Sequence, residues 1–324
     1  MSSSVAIVGA GVSGLSCARA LRDQGHHVTL FDKARRPGGR ASTREQAVGD
    51  RLYAFDFGAQ YFTARHPDFV NQANGWAERG IAARWPAAGG DAWVGVPAMA
   101  TIVRDLADGM GVRWSSHVQS IVRRAGSWSL TLTEGAAGPF DALVLAMPAE
   151  QVAALAGAQD FALARRAVMS PSRPCWAVML AFDAPLPVDS DVLRDIGPIA
   201  WAARDSAKPG RHGGESWVLH AASDWSIAHL DLPNEEVAEQ LTAAFLAAIG
   251  LVAQPAATRA HLWRYALSSP GSDGAYWNPG LQLGACGDWL LAPRLECAWL
   301  SGRMLAERIA DSAAEDSPRA ASLG

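Results

Sequence analysis

Three glycines near the start of the chain have the spacing of a turn that binds a dinucleotide. Gly9, Gly11 and Gly14 form the pattern G-x-G-x-x-G, and Asp32 follows at the end of the next apolar run. In such a turn the first glycine permits a sharp bend, the second lets the backbone approach a pyrophosphate, and the third lets a helix and a strand pack closely. An acid at the position of Asp32 would accept hydrogen bonds from ribose hydroxyls. The pattern predicts a dinucleotide site but does not separate FAD from NAD.

The elements that must position this turn are a strand before it and a helix after it. Val5–Val8 is a short apolar run that predicts a buried parallel strand, and Ser13–Gln24 has the apolar spacing of a helix. A second strand is predicted over His27–Asp32, which completes a βαβ unit. The backbone N–H groups of Val12 and Ser13 would then open the helix and point at the phosphates.

The segment after the second predicted strand is rich in arginine and glycine. It reads D-K-A-R-R-P-G-G-R over residues 32–40, and it resembles the R-x-G-G-R element that follows the same strand in the flavin amine-oxidase superfamily. The resemblance implies that the cofactor is FAD, that Lys33 lies at its adenosine end, and that Gly39 helps to present backbone N–H groups to the phosphates. Arg36 and Arg40 would add charge-assisted contacts to the same phosphates.

A second match to that superfamily lies near the other end of the chain. Gly287 and Asp288 follow the apolar run Leu281–Cys286, and the last predicted helix opens with a segment that contains Ala298 and Ser301. The resemblance implies that Asp288 closes on the ribityl and pyrophosphate portion of FAD and that the helix start points at the isoalloxazine. A carboxylate suits ribityl hydroxyls, and a helix N-terminus suits the electron-rich edge of a reduced flavin.

A narrower resemblance is to the renalase family, and above all to its bacterial members. It is carried by D-F-G-A-Q-Y-F-T at residues 56–63, W-V-G-V-P-A-M at residues 93–99 and C-G-D-W at residues 286–289. The resemblance implies an FAD enzyme that oxidises the 2- and 6-dihydro isomers of NAD(P)H to NAD(P)+, with O2 reduced to H2O2. The remaining predicted cofactor contacts are Ala59, Gln60 and Val118.

The chain is rich in tryptophan, with 13 tryptophans beside four tyrosines. A dihydropyridine already holds a transferable hydride, so its oxidation needs stacking and alignment rather than proton abstraction from carbon. Core packing explains most large aromatic residues, but some are expected in the pocket. The predicted pocket residues with catalytic roles are Gln60, Tyr61, His220, Trp263, Tyr265 and Trp289. Gln60 would bind either the substrate carboxamide or the flavin edge, whereas His220, in an apolar strand, could equally be structural.

The chain has only two lysines, Lys33 and Lys208. Many amine oxidases of this superfamily hold a lysine near flavin N5. Neither lysine is well placed for that role, since Lys33 adjoins Asp32 and Lys208 lies in a predicted loop. This favours the renalase function over that of an amine oxidase. The surrounding segment, Arg204–Arg211, could reach a substrate 2′-phosphate or could be solvated.

Composition limits the class of partner. The chain has 324 residues, is 49% hydrophobic and carries a formal net charge of -4, and no basic run predicts nucleic-acid binding. No apolar run is long enough for a membrane span, and no spacing fits a metal site or a C-x-x-C pair. These features predict a cytoplasmic protein that binds neither nucleic acid nor a membrane, and the renalase resemblance implies nicotinamide dinucleotide isomers and O2 as its small-molecule partners. Two other functions stay open: an amine or carotenoid-type dehydrogenase with the same cofactor fold, and a flavin- or nucleotide-binding protein without turnover.

The order of predicted elements is βαβ, an antiparallel insert, a return strand, a second insert, and a last strand and helix. This order predicts an α/β fold, in which a Rossmann-type FAD-binding domain is interrupted by a substrate domain with a mixed or antiparallel sheet. Such a fold is similar to that of the amine oxidases and p-hydroxybenzoate hydroxylase. The predicted FAD-binding domain comprises residues 1–64, 96–155 and 266–311. The predicted substrate domain comprises residues 65–95 and 156–265, and residues 312–324 form a flexible tail.

Overall fold

The structure is a computed structural model that describes residues 2–315. In chain order the strands are β1 (Ser4–Val8), β2 (His27–Phe31), β3 (Arg44–Val48), β4 (Arg51–Phe55), β5 (Phe62–Thr63), β6 (Ala82–Arg84), β7 (Ala92–Gly95), β8 (Val112–Arg113), β9 (Val118–Arg124), β10 (Ser127–Leu132), β11 (Ala136–Phe140), β12 (Ala142–Leu145), β13 (Ser172–Phe182), β14 (Val192–Ile196), β15 (Ile199–Arg204), β16 (Glu215–Ala221), β17 (Ala257–Ser268), β18 (Tyr276–Asn278) and β19 (Leu283–Ala285). The α-helices are α1 (Val12–Asp23), α2 (Pro67–Glu78), α3 (Ala100–Ala107), α4 (Ala149–Ala156), α5 (Phe161–Val168), α6 (Ser223–Ala228), α7 (Asn234–Ala248) and α8 (Leu295–Glu315). Over residues 2–315, none of these helices is both long and apolar enough to cross a membrane.

The chain divides into two compact units, of which the first comprises Met1–Arg36, Leu106–Pro171 and Ser269–Gly324. Its main sheet has the strand order β18-β19-β12-β1-β2-β8. Strand β1 pairs in parallel with β2 on one side and β12 on the other, so the sheet is built outwards from β1 in both directions. In sheets of this kind a ligand binds at the carboxyl ends of the strands where the order reverses. This arrangement confirms the predicted Rossmann-type fold.

Helices α1 and α8 of the first unit approach each other closely. Ser16 Oγ donates a hydrogen bond to the backbone oxygen of Trp299 at 2.8 Å. A Cβ at Gly302 would overlap the backbone oxygen of Ser13 and come within 2.8 Å of the Cys17 nitrogen. A residue without a side chain is therefore required at Gly302, which holds the start of α8 against the helix that follows the glycine turn.

The second unit comprises Pro37–Asp105 and Ser172–Ser268. It contains a five-stranded antiparallel sheet of order β14-β15-β16-β13-β17, the hairpin β3-β4, and a three-stranded sheet of order β5-β7-β6. Side chains alternate between the two faces of a strand. One face of the five-stranded sheet packs against α7 through Val237, Leu241 and Phe245. The other face packs against Tyr53 and Phe55 of β4.

The observed units differ from the predicted domains in the N-terminal segment. Of the predicted cofactor-domain segment 1–64, only the residues up to Arg36 belong to the first unit, and residues 37–64 belong to the second. The reason is that β3 and β4 form a hairpin whose Tyr53 and Phe55 bury their rings on the sheet of the second unit. This hairpin is a local alternating pattern that the sequence analysis did not identify.

The predicted segment 96–155 enters the first unit only at Leu106. Helix α3 instead belongs to the second unit, where Asp105 accepts hydrogen bonds from Trp76 Nε1 at 2.8 Å and from Arg79 Nη1 at 2.6 Å. These bonds link α3 to α2, and this explains why the boundary falls at the end of α3 rather than before it.

Two further boundaries differ. The predicted substrate segment 156–265 begins within the first unit, which extends to Pro171 because α5 buries Leu163 in its core. The predicted tail, residues 312–324, begins inside α8, which continues to Glu315. The remainder of that tail lies outside the described residues.

Candidate active site

The glycine turn of the first unit lies between β1 and α1. Gly9 has a φ of +105°, and a Cβ at Gly14 would overlap the backbone oxygen of Gly9. A Cβ at Gly11, by contrast, would meet no atom of the described chain within 4 Å. Gly11 is the N-cap of α1, and no side chain caps this helix start. The helix therefore presents its first N–H groups, including those of Val12 and Ser13, beside open space, as a phosphate site requires.

Asp32, at the carboxyl end of β2, joins the turn to the next loop. Its Oδ2 accepts a hydrogen bond from Ala10 N at 2.7 Å, and its Oδ1 accepts one from Ala34 N at 2.7 Å. A carboxylate has about four lone-pair positions, so Asp32 can also accept from ribose hydroxyls. Lys33 and Arg36, which follow it, are exposed, and their predicted contacts with the cofactor stay a prediction.

The C-terminal motif of the first unit is held by buried polar groups. Ser301 is fully buried, and its Oγ accepts a hydrogen bond from Gly287 N at 2.9 Å. Asp288 is buried at the start of a short 3-10 turn. Ala298, in the second turn of α8, and Val118, at the start of β9, are buried as well. Ser301 thus fixes the backbone of the Gly-Asp pair, and its predicted contact with the cofactor stays a prediction.

Trp289 lies in the core of the first unit and not on an open surface. It is 1% exposed, and its Nε1 donates to the backbone oxygen of Met147 at 3.2 Å. A Cβ at Gly287 would come within 2.7 Å of the indole ring, so the ring packs against the turn that precedes it. Trp289 was predicted as a pocket residue, but this placement favours a packing role.

In the second unit, the segment Gly39–Ala41 forms a 3-10 turn. The D-F-G-A-Q-Y-F-T segment packs against this turn. Ala59 N donates to the backbone oxygen of Arg40 at 2.8 Å, and a Cβ at Gly58 would overlap that same oxygen. The guanidinium Nη1 of Arg40 donates to the backbone oxygen of Ala266 at 3.2 Å. Gly39, Arg40 and Ala59, all predicted cofactor contacts, are therefore neighbours in space.

Several predicted pocket residues share one face of the five-stranded sheet. In strand register, His220 lies beside Trp201 on β15 and beside Ala177 on β13, and Ala177 in turn lies beside His261 on β17. Along β17, side chains two residues apart point to the same side. We call this side the aromatic face, which carries Trp201, His220, His261, Trp263 and Tyr265.

Phe57 is the centre of one half of the aromatic face. Its ring stacks on Trp263 at a centroid distance of 4.9 Å and meets His261 edge-on at 5.0 Å. Its backbone oxygen accepts hydrogen bonds from Trp263 Nε1 at 2.8 Å and lies 3.2 Å from His220 Nε2. The structure therefore brings two predicted pocket residues, His220 and Trp263, to one carbonyl oxygen.

Trp201 lies in the other half of the aromatic face, where Tyr61 packs on it. Their rings stack with a centroid distance of 5.2 Å, and the guanidinium of Arg194 lies 4.6 Å from the centroid of the Trp201 ring. The buried Nε1 of Trp201 has no hydrogen-bond partner among the described residues. Tyr265 lies farther along the face, two residues beyond Trp263, and is half-buried.

Both histidines of the aromatic face are uncharged at neutral pH. Burial lowers the pKa of His220 to about 4, and the positive charge of Lys208 acts in the same direction. Burial also lowers the pKa of His261 to about 4, with the charges of Arg44 and Arg259 adding to the shift. Because a carbonyl oxygen only accepts hydrogen bonds, the Nε2 of neutral His220 carries the proton that faces Phe57.

Beneath the D-F-G-A-Q-Y-F-T segment lies a group of buried charges that we call the Asp56 cluster: Asp56, Asp205, Lys208 and Arg211. Asp56 Oδ2 accepts hydrogen bonds from Lys208 Nζ at 3.3 Å and from Arg211. Lys208 also forms an ion pair with Asp205. The side chains of Lys208, Asp56 and Asp205 are all fully buried. Burial opposes the ionisation of Asp56, but the charges of Lys208 and Arg211, together with hydrogen bonds from Thr43 and Met99, hold its pKa below the usual value.

The Asp56 cluster fixes the orientation of Gln60. Lys208 Nζ donates to Gln60 Oε1 at 3.2 Å, while Gln60 Nε2 donates to the backbone oxygen of Asp56 and, at 3.3 Å, to that of Gly58. Gln60 is 5% exposed, so its amide is engaged inside the second unit. The predicted contact of Gln60 with substrate or flavin stays a prediction, and the structure places this amide in a supporting role.

The sequence allows the segment Arg204–Arg211 either to contact a 2′-phosphate or to be solvated, and in the structure its basic side chains pair with acids of the second unit. Arg204 donates to Asp191 Oδ1 at 2.7 Å and to Glu215 Oε1 at 3.0 Å. Lys208 and Arg211 are in the Asp56 cluster. Three donors of Lys208 are directed at Asp56, Asp205 and Gln60.

Residues that the sequence analysis missed are Phe57, Trp201 and the Asp56 cluster. Phe57 lies inside a recognised motif, so its position was available as a signal. Trp201 alternates with apolar residues on a predicted strand, which marks a face but not its function. No local pattern connects Asp56 with Asp205, since about half of the chain separates them.

Comparisons with known proteins agree with this geometry. The sequence matches the NAD(P)-binding Rossmann-like domain family over residues 7–73 and the flavin containing amine oxidoreductase family over residues 86–310. Renalase from Mus musculus is 26% identical over 293 residues, which are 81% of this chain and 84% of that protein.

Two solved structures resemble the fold. A putative protoporphyrinogen oxidase from Exiguobacterium sp. 255-15 has a TM-score of 0.77 at 12% identity, covering 95% of this chain and 99% of that one. Cyclohexylamine oxidase from Brevibacterium oxydans IH-35A has a TM-score of 0.72 at 14% identity, covering 97% and 100%. At these identities the two structures establish the fold alone.

The amine oxidoreductase match spans well over half of the chain. The open helix start at Gly11 and the free capacity of Asp32 fit the pyrophosphate and ribose of a dinucleotide. The chain is therefore an FAD-dependent, renalase-like member of the flavin containing amine oxidoreductase family.

Proposed function

We propose that this chain oxidises the 2- and 6-dihydro isomers of NAD(P)H to NAD(P)+, with O2 reduced to H2O2. The observation that carries the proposal is the aromatic face, where stacked rings surround a histidine whose Nε2 proton is held by a carbonyl oxygen. A dihydropyridine needs rings on which to stack and no base, because it already holds its hydride. The likeness to renalase over most of the chain supports the same substrate class.

In this proposal the protein orients the substrate and keeps the histidine beside the substrate ring uncharged. Tyr61, Trp201 and Trp263 offer flat surfaces to the ring. The buried Nε1 of Trp201, unpartnered among the described residues, is a donor that a carboxamide oxygen would satisfy. Neutral His220 places no positive charge beside a ring that becomes a cation. FAD, held by the glycine turn and Asp32, would supply the hydride acceptor, and O2 would be the final electron acceptor.

We further propose that the glycine turn holds the FAD pyrophosphate, and replacing Gly11 with alanine tests this. The new methyl group meets nothing within 4 Å in the described chain, and the φ of −80° suits alanine. We therefore expect an unchanged thermal midpoint of the apoprotein but a dissociation constant for FAD raised about tenfold, because the methyl group displaces the phosphate from the backbone. Titration of apoprotein with FAD, followed by flavin fluorescence, measures it.

The matched control is Gly75→Ala, a glycine inside α2 whose Cβ also meets nothing within 4 Å. That variant should bind FAD as the wild type does and should gain stability by about 0.5–1 kcal/mol, as alanine does in helix interiors. Equal FAD affinity in Gly11→Ala and wild type would place the pyrophosphate elsewhere.

An amine oxidase is the second candidate, and membership of the amine oxidoreductase family favours it. Against it stands the engagement of Lys208, which leaves this lysine no donor for a water near flavin N5. A flavin-binding protein without turnover is the third candidate.

We also propose a cytoplasmic location, because all four cysteines are free and thiols stay reduced in that compartment.

The deciding experiment is anaerobic stopped-flow reduction of the purified holoprotein. Separate syringes contain 6-dihydro-NAD, 2-dihydro-NAD, ordinary NADH or a panel of amines, and flavin absorbance reports reduction. We expect fast bleaching by the two isomers and slow or no bleaching by NADH and the amines. Bleaching by an amine alone would move the assignment to the amine oxidases, and no bleaching at all would leave only the fold and the cofactor.

A further inference from the structure

Two arginines flank the Phe57 end of the aromatic face. The guanidinium carbon of Arg44 lies 4.6 Å from the centroid of the Phe57 ring, whose edge meets His261 at 5.0 Å. Arg259 precedes His261 by two residues on β17, opposite Met179 of β13, so both side chains leave the same side of the strand. Arg44, Arg259 and His261 thus form one patch on the second unit, which we call the Arg44 patch.

The positive charge of the Arg44 patch comes from its two guanidinium groups and not from its histidine. His261 is uncharged at neutral pH, since burial and the positive charges of Arg44 and Arg259 lower its pKa to about 4. Arg259 is exposed and Arg44 is half-buried. A phosphate placed beside this neutral ring would be attracted by both guanidinium groups.

Stacking on Phe57 prepares Arg44 for such an anion. A guanidinium held over an aromatic ring keeps its N–H fork at the edge, and that planar fork matches the oxygen pairs of a phosphate. Trp263 stacks on the same phenylalanine at 4.9 Å. The aromatic face is therefore continuous with the Arg44 patch, so a flat ring and an anionic group could be bound side by side.

We infer that the Arg44 patch binds the pyrophosphate of a dinucleotide substrate whose nicotinamide ring stacks on the aromatic face. This inference rests on the proposed function and extends it. It assigns binding of the phosphates to the Arg44 patch and alignment of the ring to the aromatic face. The ring-binding residues determine the rate of hydride transfer, and the Arg44 patch contributes affinity alone.

The test compares substrates that differ in their phosphates. Arg259→Gln removes one guanidinium from an exposed position, and anaerobic reduction is followed with 6-dihydro-NAD, with its 2′-phosphorylated counterpart, and with 6-dihydronicotinamide riboside, which has no phosphate. We expect the half-saturating concentration of both dinucleotides to rise about tenfold, as for a lost charge-assisted hydrogen bond. The limiting rate of reduction should not change, and the riboside should react identically with variant and wild type.

The matched control is Arg264→Gln, which removes an exposed arginine from the same strand but from its other side. This control should leave all three substrates unaffected. Arg44→Lys keeps the charge but loses the fork, and it should give an intermediate loss for the dinucleotides. Equal losses for riboside and dinucleotide in Arg259→Gln, or no loss for either, would overturn the inference. A loss confined to the 2′-phosphorylated substrate would overturn it as well, because the group bound would then be the 2′-phosphate.

Calorimetric titration of the holoprotein with ADP-ribose tests the patch without any reaction. This probe carries the pyrophosphate but no nicotinamide, and we expect Arg259→Gln to weaken its binding about tenfold relative to wild type and to Arg264→Gln. If no dihydronicotinamide bleaches the flavin but this difference remains, the proposed function fails and the phosphate site stands. If ADP-ribose binds wild type and variant equally, or binds neither, the phosphate site fails whatever the outcome with the substrates.

Discussion

Replacing Lys208 with methionine is expected to lower the free energy of unfolding by about 3–5 kcal/mol, the range for removing one partner of a buried ion pair. The lysine side chain is fully buried between the carboxylates of Asp56 and Asp205. Methionine has a similar length and fills the space, so the loss is electrostatic rather than a cavity. Two buried acids would then share the single positive charge of Arg211.

Denaturant unfolding followed by tryptophan fluorescence measures this loss. The control is Arg165→Met, which removes an exposed cation from α5 and should change the free energy by less than about 0.5 kcal/mol, as most surface substitutions do. The double variant Lys208→Met with Asp205→Asn removes one charge of each sign and leaves Asp56 paired with Arg211. It should recover part of the stability. A loss below about 1 kcal/mol in the single variant would mean that the cluster is not held together by charge.

The Asp56 cluster also shows where sequence reasoning ends. Lys208 was interpreted as a loop residue because serine, proline and glycine surround it, and such neighbours do predict a turn. The turn is real, but its polar groups face inwards, towards an acid in a segment about 150 residues earlier. Only the folded sheet brings Asp56 and Lys208 together, and no pattern within a window of sequence reports such a pairing.

The cofactor end was predictable for the opposite reason. The glycine turn, Asp32 and the Gly-Asp pair before α8 are each defined by a short spacing with its own backbone requirement. Gly14, for example, can be read from sequence because any Cβ there would overlap Gly9. The aromatic face depends instead on the register of four strands. Trp201 and His261 lie in one row across the sheet, although neither was predicted as a pocket residue.

Trp289 illustrates the limit of a motif match. It belongs to a segment that resembles renalase, and a tryptophan beside a Gly-Asp pair was expected to line the pocket. Its ring instead packs against Gly287 and donates to Met147. A motif reports that a residue type is required, but it does not distinguish a requirement of packing from one of binding.

The stability of the protein is expected to fall in mild acid because of His220. Burial lowers the pKa of this histidine in the folded protein to about 4, from 6.5 for an unperturbed side chain. Below pH 6.5 the unfolded chain therefore binds a proton at His220, whereas the folded protein binds this proton only as the pH approaches 4. The contribution of neutral His220 to the free energy of unfolding is fully present above pH 6.5 and is lost progressively towards pH 4. Between pH 7 and pH 5 the loss amounts to about 2 kcal/mol.

His220→Gln isolates this contribution, since glutamine keeps an N–H donor for the backbone oxygen of Phe57 and does not titrate. Free energies of unfolding are measured in denaturant from pH 7.5 to pH 5 for wild type and variant, and the difference between the two removes the effect of the carboxylates. We expect the variant to lose about 2 kcal/mol less than wild type over this range. His117→Gln, which replaces an exposed histidine, is the control for removing an imidazole at the surface. Parallel curves for His220→Gln and wild type would show that His220 takes up its proton as readily in the folded protein as in the unfolded chain, so that the aromatic face would become positively charged below about pH 6.5.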